Sequence, residues 1–163
     1  MSKIRSSAIF GGTLATAVAF ALVPAPASAD IVDQFRNTHS GKCLEVGGWN
    51  LNDGATVNQW TCHGGANQKW RYSTSSKTIV NLHSGKCLEP GGWSTSNGSG
   101  ANQWACHGGA NQKWDLWSDG AGHLMYQNVN SGKFLEVGGW SLHDGAGVNQ
   151  WAYTGGANQK WNG

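Results

Sequence analysis

Charge and aliphatic side chains are what this 163-residue chain has least of: Asp, Glu, Lys and Arg make up 12% of it. The one long apolar stretch, Ala8 to Val23, is shorter than the roughly 20 residues that span a bilayer. Lys3 and Arg5 precede it and Ala27-Ser28-Ala29 follows as a small-x-small cleavage site, so residues 1–29 read as a secretory signal peptide. The expected mature chain runs from Asp30 to Gly163, is secreted, and inserts into no membrane. The formal charge of +2 belongs to the signal: of 11 Lys and Arg, two are Lys3 and Arg5, leaving nine against nine Asp and Glu. A net charge of zero removes the electrostatic case for a nucleic-acid partner or an anionic membrane.

Poverty in Leu, Ile and Val together with low charge is a mark of disorder, but disordered chains are also poor in aromatics. All 10 Trp and 23 of the 25 Gly lie after residue 29. The core is therefore expected to be built from indoles and tight glycine turns, and a domain this small gains from covalent staples. Cys43, Cys62, Cys87 and Cys106 supply an even number in an exported chain.

One 32-residue unit occurs three times without internal gaps, at residues 39–70, 83–114 and 130–161. The first copy matches the second at 23 positions and the third at 24. Three units, approximately 30–73, 74–117 and 118–163, fill the mature chain and leave no room for a second domain. No amphipathic helical stripe of ten residues appears, and Gly recurs too often for helix interiors. Short strands bounded by Gly, Asn and Ser fit better: Gln34 to Asn37, Cys43 to Val46, Val57 to Thr61 and Trp70 to Ser73 in the first unit, with equivalents in the others. Twelve such strands in three equal sets predict a closed, pseudo-threefold all-β domain, because one four-strand unit cannot bury its own apolar face.

The repeats also pair the cysteines. Units one and two each carry two cysteines 19 positions apart, whereas unit three replaces both members, with Phe134 and Tyr153. Joint substitution implies contact, so Cys43–Cys62 and Cys87–Cys106 are expected to be disulfides and Phe134 to touch Tyr153. A zinc site using His63 and His107 is the rival. The absence of any C-x-x-C pair and the export signal count against it, and no metal or cofactor is expected.

Residues two apart on a strand share a face. Cys43 then shares a face with Glu45, and Cys62 with Trp60 and Asn58, so the first disulfide gathers Glu45, Asn58 and Trp60. The same argument gathers Glu89, Asn102 and Trp104, and Glu136, Asn149 and Trp151. Such a trio suits a sugar: the carboxylate accepts from hydroxyls, the amide donates and accepts, and the indole packs on the C–H face of the ring.

Gln-Lys-Trp ends every unit, at Gln68 to Trp70, Gln112 to Trp114 and Gln159 to Trp161. With the upstream Gly-Lys-Cys-Leu-Glu it resembles the Q-x-W repeat of ricin B-type β-trefoil lectins and of the related family 13 carbohydrate-binding modules, over the whole mature chain. The resemblance implies that Gln68, Trp70, Gln112, Trp114, Gln159 and Trp161 are structural core. It implies sugar ligands at Glu45, Trp60 and Asn67, at Glu89, Trp104 and Asn111, and at Glu136, Trp151 and Asn158. Secondary ligands fall on Asn58, Asn102 and Asn149, and on His63 and His107. Galactose-type and xylan-type ligands both occur in the family. This chain departs from it in having Glu where Asp is usual, which pushes the carboxylate outward by roughly 1.5 Å, and a polar Gln59 where an apolar residue is common. Thr154 replaces the His in unit three, and unit two has Pro90 and Asn97.

Blander readings compete: Glu45 as an exposed strand residue, Trp60 as core, His39 and His83 as turn residues. Trp49, Trp93 and Trp140, each after Gly-Gly, are either lids on the hydrophobic body or second stacking platforms. The leading expectation is a non-catalytic, monomeric lectin that binds glycans or polysaccharide at up to three sites. A glycosidase would need two carboxyls across the scissile bond; Glu45 with Asp53 and Glu136 with Asp144 are the available pairs, and Asn97 breaks the pattern in unit two. A β-trefoil protein-binding scaffold or protease inhibitor is the remaining alternative.

Overall fold

The computed structural model describes residues 30–163 and a two-residue strand, Ser2–Lys3, that pairs antiparallel with Ser118 and Trp117. The expected export signal otherwise lies outside the described residues.

Unit one contributes the strands Ile31–Asp33, Arg36–Asn37, Cys43–Val46, Val57–Trp60 and Trp70–Tyr72. Unit two contributes Ile79–Asn81, Cys87–Pro90, Ala101–Trp104 and Trp114–Ser118. Unit three contributes Leu124–Asn128, Phe134–Val137, Val148–Trp151 and Trp161–Asn162. The expected four-strand plan holds, except that the first strand of unit one begins earlier than Gln34 and is split in two. Its halves serve different partners. Ile31–Asp33 pairs with Trp70–Tyr72 of its own unit, and Arg36–Asn37 pairs with Trp161–Asn162 of unit three.

That split closes a barrel. Trp70–Tyr72 pairs onward with Ile79–Asn81, Thr78 bridges to Lys113, Trp114–Ser118 pairs with Leu124–Asn128, and Leu124 meets Trp161. First and fourth strands of the three units thus alternate around a closed ring, and the end of Trp114–Ser118 takes Ser2–Lys3 on the side away from Leu124–Asn128. The second and third strands of each unit form a hairpin, and the three hairpins interlock cyclically: Gly54 N donates to Gln103 O, Gly98 N to Gln150 O and Gly145 N to Gln59 O, each at 2.8 Å. The fold is a β-trefoil.

Indoles fill the interior as the composition requires. Trp70, Trp114 and Trp161 are fully buried among Phe35, Leu44, Leu88, Tyr126 and Leu135. A buried indole N–H needs an acceptor, and each finds the same one: Trp70 Nε1 donates to Leu44 O at 2.9 Å, Trp114 to Leu88 O at 3.0 Å and Trp161 to Leu135 O at 3.2 Å. Burial pushes the Tyr72 hydroxyl up to about 12.

Cys43–Cys62 and Cys87–Cys106 are disulfides with Cα atoms 5.1 Å apart, and the Phe134 and Tyr153 rings meet at 5.1 Å in unit three. The polar Gln59 is explained by what it ties together. It is fully buried, its Oε1 accepts from Ser40 Oγ at 2.6 Å, and its Nε2 donates to Ser141 O and His143 O of unit three. Gln103 and Gln150 repeat this staple between the other hairpins.

Candidate functional site

Register within each hairpin sets out the site. Glu45 stands opposite Asn58 and Cys43 opposite Trp60, with Glu89 opposite Asn102 and Glu136 opposite Asn149. Strand alternation buries Val57 and Gln59 and turns Trp60 outward. Trp60, Trp104 and Trp151 are 42%, 43% and 40% exposed, so they are surface indoles and not core.

The carboxylates do not project outward, contrary to what the extra methylene of Glu predicts. Glu45, Glu89 and Glu136 are each 5% exposed because the chain folds back onto the Q-x-W turn. Glu45 Oε2 accepts from Gln68 Nε2 at 3.0 Å and from Asn67 Nδ2 at 3.4 Å, with His63 Nε2 3.4 Å away. Glu89 receives Gln112 at 2.8 Å, Asn111 at 3.0 Å and His107 at 3.4 Å. Glu136 receives Gln159 at 3.0 Å and Asn158 at 3.2 Å; Thr154 stands where the His would be, and burial holds this carboxyl above its ordinary range. Gln68 also donates to Thr61 O and accepts from His63 N. The Q-x-W glutamine is therefore structural and, in the same act, fixes the site carboxylate.

Opposite the carboxylate sits the Gly-Gly-Trp turn. Gly47–Trp49 is a single 3-10 turn in which Gly48 has φ 61°. Trp49, Trp93 and Trp140 themselves adopt φ of 55°, 57° and 54°. A left-handed conformation costs a bulky residue about 1–2 kcal/mol, and all three units bear it at the same place. The indole then lies over a second glycine: a Cβ on Gly65 would sit 2.7 Å from His63 Cε1 and 2.8 Å from both Trp49 Cη2 and Asn67 Oδ1. Trp49 and His63 stack with ring centres 6.1 Å apart, and Trp93 and His107 at 5.8 Å.

Unit one thereby encloses an open cavity of about 220 Å³ lined by Glu45, Gly48, Trp49, Trp60, His63 and Asn67. In unit two Glu89, Gly92, Trp93, Trp104 and His107 line one of about 380 Å³. Asn58 and Asn102 are adjacent but turned away: the Asn58 amide nitrogen tucks under Gly47, where a Cβ would come within 2.9 Å of it. Trp49, Trp93 and Trp140 are 49%, 52% and 50% exposed, so each offers an indole surface to the solvent beside the carboxylate.

Neighbouring units complete each site, and sequence reasoning missed this. His83 Nε2 lies 3.3 Å from Trp49 O, Asn130 Nδ2 donates to Trp93 O at 3.3 Å, and His39 Nε2 lies 3.1 Å from Trp140 O. These turn residues latch the preceding unit's Trp loop. Asn81 Nδ2 likewise donates to Asn67 O at 3.0 Å, with Asn128 and Asn37 repeating the contact on Asn111 and Asn158. On the other side, Asp144 Oδ1 accepts from Thr61 N, Asp53 Oδ1 from Ala105 N, and Asn97 Oδ1 from Ala152 N, at 2.8, 2.8 and 2.9 Å. Recurrence of these residues in or just before every repeat was the available signal.

Asp53 and Asp144 are therefore engaged by other units. Lys86 bonds Asp53 and Lys42 bonds Asp144, each at 2.6 Å, and these ammonium groups hold both carboxyls below the ordinary carboxylate value. No group of three or more His, Cys, Asp or Glu side chains among the described residues is arranged to hold a metal ion.

Residues 32–161 match the model of the ricin-type β-trefoil lectin domain. Among solved structures, the designed threefold-symmetric protein ThreeFoil is 40% identical, with a TM-score of 0.78 over 80% of this chain and 96% of that one. The exo-β-1,3-galactanase 1,3Gal43A from Clostridium thermocellum is 31% identical with a TM-score of 0.73; the match covers 79% of this chain but 29% of the galactanase. A ricin B-like lectin of Macrolepiota procera, solved with lactose, shares the fold at 20% identity and a TM-score of 0.70, over 81% of this chain and 93% of that one. The chain belongs to the ricin-type β-trefoil lectin domain family, whose carbohydrate-binding character agrees with a buried carboxylate set between two exposed indoles.

Proposed function

We propose that this protein is a secreted, non-catalytic lectin with three sugar sites, one per unit, that engages glycans multivalently. The observation that carries this reading is the threefold recurrence of one arrangement: a carboxylate fixed by the Q-x-W glutamine, between a strand indole and a left-handed loop indole. Trp60 packs against the C–H face of a sugar ring while Glu45 accepts from its hydroxyls. Asn67 Oδ1, buried without a hydrogen-bond partner among the described residues, is an acceptor that a sugar hydroxyl would satisfy, and Asn111 and Asn158 repeat it. Trp49, Trp93 and Trp140 act as second platforms for the next residue of a longer glycan. A galactose-type ligand is favoured by the relationship to a β-1,3-galactanase.

Individually weak sites on one rigid body raise each other's effective concentration, increasing avidity by about 10²–10⁴-fold on a polysaccharide or cell surface. Hydrolysis is not part of the reading, since Asp53 and Asp144, the candidate second carboxyls, are spent on lysines and backbone of other units.

A glycan array with the natural protein and with the triple variant Trp60→Ala, Trp104→Ala, Trp151→Ala tests it. Binding by the first and loss in the second are expected. No bound glycan would remove the lectin reading, and release of reducing sugar from a bound polysaccharide would replace it with an enzyme. Sequencing the N-terminus of protein recovered from the medium tests secretion, with Asp30 the expected first residue.

A further inference from the structure

The three sites are bordered by loops that differ in one charge. Where Trp60 ends, its ring edge rests against the unit-three loop, a Cβ on Gly145 lying 3.6 Å from Trp60 Cζ3; Trp104 rests in the same way on Gly54, and Trp151 on Gly98 at 3.5 Å. The residue before each of these glycines is Asp144, Asp53 or Asn97. All three accept from the backbone N–H just after the stacking Trp, so the loops share this one contact. They differ in what they do to a lysine. Asp144 pairs with Lys42, and Asp53 with Lys86. The corresponding lysine of unit three is Lys133, and Asn97 carries no charge to pair with it. Thr61, whose hydroxyl also accepts from Lys42, is replaced there by Ala152. Among the described residues the Lys133 ammonium has neither an ion-pair nor a hydrogen-bond partner.

We infer that the third site accepts an acidic sugar, a residue carrying a carboxylate or sulfate, with Lys133 as the group that recognises the charge at the rim of Trp151. The first two sites, whose lysines are neutralised, take neutral sugars. This rests on the proposed sugar role of Trp151. The carboxylate floor of the site is shielded by the Gln159 and Asn158 amides that donate to Glu136. The charge that each unit offers a sugar is thus set by whether the loop borrowed from a neighbouring unit carries Asp or Asn.

Galactose and galacturonic acid differ at C6 alone, as alcohol and carboxylate, and serve as probes with galactose 6-sulfate as the sulfate arm. NMR titration of the natural protein reads each site separately through the indole N–H signals of Trp60, Trp104 and Trp151. Trp151 is expected to saturate at about two- to fivefold lower concentration of an acidic sugar than of galactose, the size of an exposed charge contact, and high salt should erase the difference. Trp60 and Trp104 should show no such preference. Asn97→Asp should abolish it at Trp151, and Asp53→Asn, which frees Lys86, should create it at Trp104. Equal response of Trp151 to galactose and both acidic sugars, or a preference that survives Asn97→Asp, overturns the inference while leaving the lectin reading intact. No response of any indole to any of the sugars overturns both.

Discussion

His83 holds Trp49 although the two belong to different units: its Nε2 lies 3.3 Å from the Trp49 carbonyl oxygen, and the rings meet edge to face at 5.1 Å. The indole sits on a backbone with φ 55°, which a side chain adopts at a cost. The site is therefore held in a strained form by its neighbour. Trp49→Gly removes both the strain and the latch's ring contact, so its stability should fall by no more than about 1 kcal/mol. Trp49→Ala keeps the strained Cβ and loses the ring, and should be the less stable of the two. Both should weaken glycan binding. Urea midpoints that rank Ala above Gly would show that the loop stores no strain.

Gly65 separates packing at the site from packing in the core. Its backbone φ of −65° suits any residue, yet a Cβ would press on His63, Asn67 and Trp49 at once. Gly65→Ala should displace the Trp49 ring and reduce binding at unit one, with a stability cost of about 1–3 kcal/mol from overpacking. The equivalent changes at Gly109 and Gly156 should act only on their own units. Site-resolved indole signals check this, and a loss spread over all three units would contradict it.

Two tryptophans ten positions apart make the contrast sharper. Trp70 is fully buried and donates to Leu44 O, whereas Trp60 is 42% exposed. Trp70→Ala should cost about 3–5 kcal/mol, and Trp60→Ala about 1 kcal/mol or less while removing the stacking surface. Thermal denaturation beside a binding assay on both variants distinguishes these roles; equal destabilisation by the two would return Trp60 to the core.

Much of this was legible because the chain repeats. Trp70, Trp114 and Trp161 announce a core by recurring in one motif, and the joint loss of both cysteines in unit three identifies the Phe134–Tyr153 contact that replaces a bond. Relationships between units were not legible. Nothing local says that Asp53 will meet Ala105 and Lys86, or that His83 will meet Trp49, since threefold closure decides which loop faces which hairpin. Asn37, Asn81 and Asn128 stand two residues before the 32-residue repeat, outside the stretch whose recurrence marks site residues. The burial of Glu45 was missed for another reason: the side-chain torsions that fold it onto Gln68 are set by packing, and strand alternation gives only the face.

The disulfides make unit three the odd member on reduction. Each closes a loop for which the chain-entropy model gives about 3 kcal/mol, and each spans the hairpin that carries its unit's Glu and Trp. Phe134 and Tyr153 replace the link by ring contact, which is insensitive to reductant. Reduction should lower the melting temperature of the whole domain, and below that temperature it should broaden the signals of Trp60 and Trp104 before those of Trp151. Equal broadening of all three would mean that the bridges act on the fold alone and not on their own sites.

Acid should destabilise the fold through three aspartates, Asp53, Asp119 and Asp144. Asp119 is held well below the ordinary carboxylate value by His123 first, then by the Ala121 N–H, and Lys160 adds a further bond. Asp53 and Asp144 are lowered by Lys86 and Lys42. For each, the unfolded chain takes up its proton near 3.8 while the native state still refuses it. The unfolded state then binds more protons, so stability rises with pH in that range: the contribution is fully present above about pH 4 and drains away as pH falls through the native values. Glu136 acts in the opposite sense, since its native value is raised above 4.5 and deprotonation there costs a little stability as pH climbs past it. Urea midpoints between pH 6 and pH 2 should therefore hold nearly level to about pH 4 and fall below it. Asp119→Asn should flatten part of that fall, whereas Asn97→Asp, by giving Lys133 a partner, should steepen it. A midpoint that stays level from pH 4 to pH 2 would mean that these ion pairs carry none of the fold's acid sensitivity.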